Sequence, residues 1–335
     1  MAWVGVRDTP DVTGDALTVT LRARDPGGRG EVRAGRFLYS AGAIRPLHVD
    51  GVRALGRAIV TGTSLELFAG SPVVPRFAPR AFDLALGGRL AQTVGDSLTI
   101  GAAYVVRRRD HALLDQEVGP DFAFAPTKWC DLAGRTAFDL VNRGPTDALA
   151  SLGLRSTDFR LELFATHRSP ARMLPATSLF SVLGDIPSTT TGASTRYRIA
   201  PRLELTATLA SIVTGGDLGA YGIGRAVLAL DDDFHGSVGI ELRRQSIDTA
   251  RWSGARTIVV LPLSSSLRVS TELEIVRPDV APGRNRVWPW ALVAIAHRWT
   301  SGWESALGVE ALGTRDDRQE LHAMLRVSYV YERLR

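Results

Sequence analysis

Lysine is almost absent from this 335-residue chain, because only Lys128 among its 40 basic residues is a lysine. The arginines that replace it are spread over the whole length and mixed with 35 acidic residues, which gives a formal net charge of +5. A nucleic-acid-binding domain gathers its basic residues on one face or along one helix. The scattered distribution therefore argues against nucleic-acid binding.

Cysteine is represented by Cys130 alone, which excludes an intrachain disulfide and the paired-cysteine patterns of zinc sites. The histidines do not follow the HExxH spacing of a metalloprotease. No serine lies in a GxSxG motif, and no phosphate-binding loop is present. The sequence therefore predicts no metal, no cofactor and no enzymatic activity.

Long apolar runs are also missing. No window reaches the roughly 18 uninterrupted apolar residues that a transmembrane helix requires. The best helix candidate is the short segment Thr177–Leu183. No signal peptide follows Met1, so an exported protein would need a leader that was removed or lost upstream. A membrane-spanning barrel stays compatible with this composition, because only alternate residues of its strands meet lipid.

What the sequence does have is a period of two. The apolar members of the clearest alternating runs are Leu203, Leu205, Ala207, Leu209, Leu267, Val269, Thr271, Leu273, Ile275, Leu321, Ala323, Leu325, Val327 and Tyr329. Charged and polar residues occupy the positions between them. A period of two places the two sets on opposite faces of a β-strand.

Strand length and connection length point to one architecture. The alternating runs, such as the predicted strand Asp15–Arg24, reach the roughly 9–11 residues that cross a bilayer when tilted. Tight turns such as Asp25-Pro26-Gly27-Gly28 alternate with longer loops, predicted for example at residues 41–50 and 213–217, as in a transmembrane barrel with short turns at one end. We therefore predict a single all-β domain over residues 1–335, an antiparallel up-and-down barrel of about 18–20 strands, with an even number expected.

Competing all-β architectures fit less well. A propeller or solenoid would show a fixed sequence repeat, and none is present. A sandwich would use shorter strands. In its alternation, its turns and its aromatic final strand with Tyr329 and Tyr331, the chain resembles the porin-like outer-membrane β-barrels of Gram-negative bacteria. The resemblance implies an outer-membrane location, contact with lipid and small solutes, and possible homo-oligomers.

The charged face carries the functional hypothesis. Charges in hydrocarbon cost several kcal/mol each, so these side chains must face water or one another. The candidate lumen-lining residues are Arg135, Arg160, Arg196, Arg198, Arg202, Glu204, Arg243, Arg268, Glu272 and Arg326. Because a barrel of this many strands is too wide for side chains to fill, a water-filled channel follows. Lumenal charges that pair with one another beneath folded-in loops are the alternative.

Aromatic residues near strand ends predict girdles at the membrane surface. These residues are Trp129, Trp252, Trp288, Trp290, Trp299, Trp303, Tyr329 and Tyr331.

The predicted function is passive diffusion of small polar solutes or ions across the outer membrane. The main alternative is a barrel that is not a pore and acts as a structural or interaction protein in an envelope complex. A barrel hydrolase that uses His322, and a soluble all-β protein, are further alternatives.

The longest break in the pattern, Ser169–Ser188, predicts a loop that narrows the channel. Its run Leu179–Leu183 is too apolar for a freely solvated loop and should pack on something. The inner wall of the barrel, a neighbouring loop or a second subunit would each provide a surface for this packing.

Deletion of Met173–Asp185 tests this hypothesis, because an empty lumen conducts more ions than a narrowed one. Single-channel conductance should rise clearly if the segment occupies the lumen. Unchanged conductance of a folded barrel would place it elsewhere.

Overall fold

The computed structural model describes residues 2–6, 12–16, 19–73, 83–141, 143–169, 187–233, 235–247, 250–280, 287–299, 302–313 and 319–329. Its strands are β1 (Ala2–Val6), β2 (Val12–Ala16), β3 (Val19–Arg24), β4 (Gly30–Tyr39), β5 (Leu47–Ala58), β6 (Thr63–Pro72), β7 (Leu84–Val94), β8 (Leu98–Arg109), β9 (Ala112–Thr127), β10 (Cys130–Asp139), β11 (Gly144–Arg155), β12 (Phe159–Arg168), β13 (Ser188–Ala200), β14 (Leu203–Thr214), β15 (Asp217–Ala229), β16 (Ser237–Ile247), β17 (Ala250–Pro262), β18 (Leu267–Pro278), β19 (Trp288–Arg298), β20 (Trp303–Gly313) and β21 (Gln319–Tyr329).

Strand order confirms the predicted architecture. Among the described residues, β3–β21 are nineteen strands that follow one another in chain order as in an up-and-down β-barrel, and consecutive strands run antiparallel. Strands β1 and β2 pair with each other in a separate two-stranded sheet. Within the described residues, no helix is long and apolar enough to cross a membrane.

The chain divides into two compact units, which are described one at a time. Unit 1 comprises Met1–Leu154 and Phe164–Thr190, and unit 2 comprises Arg155–Leu163 and Thr191–Arg335.

In unit 2, each strand has one apolar and one charged face. On β14, Leu209 is 70 % exposed, whereas its neighbours Thr208 and Ala210 are half-buried and buried. The register carries this pattern onto the adjacent strands, since Leu242 lies opposite Ala255 and Glu241 lies opposite Arg256. We call the face of Leu209 the apolar face and the face of Glu241 the charged face.

The same two faces run through unit 1. Leu67, Leu90 and Ile100 are exposed on the apolar face of β6–β8. Arg89 and its register partner Glu66 lie on the charged face. Soluble monomers rarely expose contiguous apolar patches larger than a few hundred Å². An apolar face repeated on strand after strand is the surface that a lipid bilayer covers.

The nineteen barrel strands among the described residues fall in the predicted range, whereas an even number was expected. The run Asp15–Arg24, predicted as one strand, contributes only Val19–Arg24 to the barrel. The preceding residues up to Ala16 belong to β2, which pairs with β1.

Two connections differ from the prediction. The predicted loop at 213–217 is a two-residue turn, because β14 continues to Thr214 and β15 begins at Asp217. Gly215 and Gly216 both have positive φ values, 62° and 95°, which a tight hairpin turn matched to strand twist requires. The predicted loop at 41–50 is shorter, since β5 already begins at Leu47.

The strand bounds also locate the middle of the apolar face. Leu209 lies at the centre of β14, while Leu205 lies two residues from its start. Leu209→Arg should therefore cost ~2–4 kcal/mol of unfolding free energy, and Leu205→Arg less, because the cost falls towards the membrane surface.

Thr206→Arg, on the charged face of the same strand, is the matched control and should cost much less than Leu209→Arg. Urea unfolding of protein refolded into lipid vesicles measures these differences. Equal costs at Leu209 and Thr206 would contradict the assignment of the faces.

Candidate functional site

The connection between β4 and β5, residues 40–46, is buried although it joins two strands at their ends. The Ile44 backbone N–H donates to the Ala41 carbonyl at 3.0 Å, which closes a tight turn. Ala43 and Ile44 are 3 % and 2 % exposed. A surface loop of this length would leave such side chains in water, so this segment packs on another part of unit 1.

An apolar cluster lies beside the segment. Tyr39 and Phe68 stack with ring centroids 3.9 Å apart. The cluster comprises Phe37, Tyr39, Ala41, Ala43, Ile44, Leu47, Val49, Phe68, Ala85, Ala103 and Val105. By register, Phe37, Val49, Phe68, Ala85 and Val105 lie on the charged face of β4–β8. Unit 1 therefore has an apolar core on the face that bears its charges.

Charged residues hold the other side of the segment. The Arg45 guanidinium donates to the Glu117 carboxylate and lies 3.5 Å from Asp115. Arg107 donates to both carboxylates, at 3.3 Å to Glu117. We call these four residues the Arg45 cluster. It contains two cations and two anions, and both partners of the Arg45–Glu117 pair are almost completely buried.

A second contact places the turn against β7 and β9. The Arg89 Nε donates to Asp121 Oδ2 at 2.9 Å. A Cβ added at Gly42 would come within 2.1 Å of the Asp121 carboxylate and 2.5 Å of Arg89 Nε. Gly42 also has a φ of +56°. Glycine is therefore required both for the backbone conformation and for the close approach to this ion pair.

These contacts show that segment 40–46 lies on the charged face of β7–β9 within unit 1. The sequence predicted an ordinary loop there, and it missed Arg45 and Asp115 as site residues. Arg107, which is 5 % exposed, belongs to the Arg45 cluster. The contact between Arg45 and Glu117 joins residues 72 positions apart, so no local pattern signals it.

In unit 2, the charged face carries a row of ion pairs across β16–β18. Arg243 donates to Glu241 and lies 3.5 Å from Glu274. Arg256 donates to Glu272 and lies 3.9 Å from Glu274. We call these five residues the Arg243 ladder. Its side chains keep between 11 % and 25 % of their surface in solvent, unlike the buried Arg45–Glu117 pair.

The structure gives partners to most of the residues predicted to line a lumen. Arg243 and Glu272 belong to the Arg243 ladder. The remaining ion pairs are Arg135–Asp147 in unit 1 and Arg160–Glu162, Arg196–Glu204 and Arg326–Glu304 in unit 2.

Two other predicted lumen residues differ in position. Arg198 is exposed, and its backbone N–H donates to Asp158. Arg202 lies in the turn after β13, where it pairs with Asp232 at 2.8 Å. Arg256 is the ladder residue that the sequence analysis missed, although its alternation with the neighbouring Ala255 would have indicated it.

Arg268, the last of the predicted residues, lines a cavity in unit 2. The cavity has a volume of about 820 Å³ and also contacts Asp231, Arg298 and Glu304. By register, Arg268, Arg298 and Glu304 share the charged face. The predicted residues of unit 2 are thus distributed along one face and not gathered into a single catalytic constellation.

Three tryptophans contradict the girdle prediction. Trp290 donates its indole N–H to Glu310, and it lies opposite Glu274 in the register. Trp252 and Trp288 also fall on the charged face. Trp303 and Tyr329, by contrast, form an exposed aromatic pair on the apolar face, with centroids 4.6 Å apart. The error arose because strand-end position alone does not specify the face.

His322, which the hydrolase alternative required, lies between two carboxylates. Its ring nitrogens are 3.8 Å from Glu310 and 3.7 Å from Glu320. No group of three or more metal-binding side chains occurs among the residues that the structure describes.

The segment Ser169–Ser188 falls mainly outside the described residues, as do Thr177–Leu183 and Tyr331. At its beginning, Ser169 is 2 % exposed, and its backbone N–H donates to Thr146 at 3.1 Å. The role predicted for this segment stays a prediction.

Comparison with known proteins extends the fold assignment. No protein-family model matches the sequence, and no curated protein matches it either. Among solved structures, OccK11 (OpdR) of Pseudomonas aeruginosa is 11 % identical with a TM-score of 0.52, covering 92 % of this chain and 94 % of that one. OccK10 (OpdN) of the same organism is 9 % identical with a TM-score of 0.50, covering 91 % and 99 %.

The translocation pore of the P pilus usher PapC is also similar, with 9 % identity and a TM-score of 0.53 over 95 % of this chain and 87 % of that one. The fold is that of the outer-membrane barrels. At these identities the similarity concerns the fold alone. This similarity in fold agrees with the presence of an apolar and a charged face on the strands, which an outer-membrane barrel requires.

Arg45→Met tests how segment 40–46 is held. Removal of one partner of a buried ion pair leaves an uncompensated charge and should cost about 3–5 kcal/mol of unfolding free energy. Arg57→Met, at an exposed position of β5, is the matched control and should cost much less.

The double variant Arg45→Met/Glu117→Met should cost less than the sum of the single variants, because neither charge is then left alone. Denaturant unfolding in micelles measures the unfolding free energy of the unchanged protein, of Arg45→Met, of Glu117→Met and of the double variant. Additive costs would mean that the pair does not hold the segment.

Proposed function

We propose that this protein is a channel of the bacterial outer membrane through which small polar solutes or ions diffuse. In this proposal the chain is a single domain built on the barrel strands β3–β21. The apolar face contacts lipid, the charged face lines the water-filled interior, and no catalytic step is involved. Homo-oligomers are compatible with the proposal but not required by it.

The observation that carries the proposal is the hydration of the charged face in unit 2. The guanidinium groups of Arg196 and Arg326 keep 56 % and 54 % of their side-chain surface exposed while paired with carboxylates. Such groups need water. Because side chains fill the interior of an eight-stranded barrel but leave an aqueous channel in one of 16–18 strands, a nineteen-stranded barrel has room for that water.

Segment 40–46 supports a narrowing of this interior. It lies on the charged face of β7–β9, where the Arg45 cluster and the Arg89–Asp121 pair hold it. A segment fixed at several points reduces the open cross-section permanently, in contrast to a mobile loop that opens and closes. We therefore propose it as a constriction element, in addition to the predicted role of Ser169–Ser188.

Ion pairing along the charged face implies weak charge selectivity. The arginine-rich sequence favours anions if its arginines dominate the constriction. The Arg45 cluster, however, balances two cations with two anions, and the Arg243 ladder contains two arginines and three carboxylates. We therefore propose a channel that discriminates little between small anions and cations.

A second function is favoured by the packing in unit 1. The apolar cluster and the Arg45 cluster give this unit a core that excludes solvent on its charged face. A closed barrel, meaning one whose interior is blocked to solutes, would have the same feature. The protein would then serve as a structural or interaction component of the envelope. Stepwise conductance of purified protein in planar bilayers supports the channel, and a complete absence of conductance supports the closed barrel.

The double variant Glu272→Gln/Glu274→Gln tests whether the Arg243 ladder faces the conducting water. It removes two negative charges and leaves Arg243 and Arg256, so the zero-current potential in a salt gradient should shift towards anion selectivity. The shift should shrink between 0.1 M and 1 M salt, because the Debye length falls from about 10 Å to about 3 Å.

Asp50→Asn is the matched control. Asp50 pairs with Arg36 on the apolar face, since both lie opposite each other in the register with Val52 on the same side. Its removal should leave the zero-current potential unchanged. Equal shifts in the two variants, or none in the ladder variant, would contradict a lumen lined by the ladder.

A further inference from the structure

The cavity that Arg268 lines lies on the charged face of unit 2, where β16, β18 and β20 begin and β17 and β19 end. Its volume of about 820 Å³ falls in the range of pockets that hold small organic molecules. Arg298 lines it from the neighbouring strand. Because Arg268 lies opposite Ala296 in the register, the two arginines are diagonal neighbours on one face, about 7–8 Å apart at the backbone. Two guanidinium groups therefore border the same cavity.

Two carboxylates also line the cavity, and both already accept hydrogen bonds. Glu304 lies opposite Arg298 in the register, but it accepts from Arg326. The backbone N–H of Gly236 and two others of the same turn donate to Asp231, at 2.6, 2.9 and 3.1 Å. These hydrogen bonds, the one from Gly236 foremost, hold the pKa of Asp231 below its ordinary value, so this carboxylate is ionised and bound to its own turn.

The two guanidinium groups, by contrast, are available to a ligand. Neither Arg268 nor Arg298 takes part in an ion pair within the described part of the chain. Arg298 donates to Ser266 through its backbone N–H, at 2.7 Å, which leaves its side chain free. Each guanidinium carries several N–H donors and no acceptor. A molecule that fills this cavity must therefore supply acceptor oxygens.

The placement of the two arginines indicates the shape of the acceptor. A carboxylate presents two oxygens in one plane, which a single guanidinium already satisfies through paired hydrogen bonds. A phosphate group presents three oxygens in a tetrahedral arrangement, so guanidinium groups from two strands can bind it from different directions. The arrangement therefore favours a phosphate.

The rest of the lining indicates what the phosphate is attached to. The carboxylates of Asp231 and Glu304 have further lone pairs that accept hydrogen bonds, and the Ser237 hydroxyl also lines the cavity. Bare phosphate would leave these groups in contact with water. Hydroxyl groups on the ligand would donate to them.

We propose that this cavity binds the phosphate monoester of a small polyol, such as a sugar phosphate. Arg268 and Arg298 donate to the phosphate oxygens, and Asp231 and Glu304 accept from the hydroxyl groups. The site rests on the proposed channel in one respect, since a solute reaches it only if the charged face is open to water.

Isothermal titration calorimetry of glucose 6-phosphate with the purified barrel in micelles tests this site. Arg268→Gln/Arg298→Gln should weaken binding on the order of 100-fold, because each arginine makes charge-assisted hydrogen bonds to the phosphate. Arg298→Gln alone should weaken it about tenfold, which keeps the test available if the double variant does not fold. Unchanged binding in these variants would overturn the proposal.

The matched control is Arg244→Gln/Arg277→Gln, which removes the same charge from exposed positions on the apolar face of unit 2. It should bind glucose 6-phosphate as the unchanged protein does. Equal weakening in the two double variants would mean that net charge explains the binding, and the proposal would fail.

The two parts of the probe test the two halves of the site. Inorganic phosphate should bind about tenfold more weakly than glucose 6-phosphate, because it lacks the hydroxyl groups. Glucose, which lacks the phosphate, should not bind measurably. Equally tight binding of inorganic phosphate would overturn the assignment to a polyol ester, and equally tight binding of glucose would overturn the role of the arginines.

Conductance of the same preparation in planar bilayers separates this site from the channel. Stepwise conductance without binding of glucose 6-phosphate would overturn the site and leave the channel supported. Binding by a protein that never conducts would support the site and contradict the channel.

Discussion

Backbone hydrogen bonding is the constraint on which the rest of this structure depends. In hydrocarbon an unpaired N–H or C=O group costs several kcal/mol, because no water is available to satisfy it. A chain without a long apolar helix satisfies these groups only if each strand has a partner on both edges. The order of β3–β21 meets that requirement, and it leaves the side chains free to differ between the two faces.

Once the strands are paired, the medium on each side of the sheet, lipid or water, determines which side chains are stable there. Leu209, Leu242 and Leu273 occupy the face where exposure to lipid costs nothing. Charges on the opposite face are tolerated because they meet water or one another. The two ion-pair groups represent these two possibilities, since the Arg45 cluster is buried under a packed segment and the Arg243 ladder remains partly hydrated.

The candidate site on the charged face was predictable from the sequence where it depends on a local pattern. Alternation assigned Arg196, Glu204, Arg243, Glu272 and Arg326 to one face. The register of β14–β21 places the last four on one face, and the ion pair with Glu204 brings Arg196 beside them. Their pairing partners were not predicted, because a pair such as Arg243–Glu274 depends on the stagger of strands separated by 31 positions. The direction of Trp290 was missed for a related reason, because an aromatic residue near a strand end suits either face.

By itself the sequence determined the class of fold, the two faces and the positions of most strands, because a period of two and the chemistry of turns are local properties. Only the tertiary structure decided that Gly42 and Arg45 lie on the charged face and that Arg45 pairs with Glu117. These features depend on register and on contacts between distant segments. Such contacts are set by the balance of burial and charge pairing in the folded barrel, which no stretch of the chain contains alone.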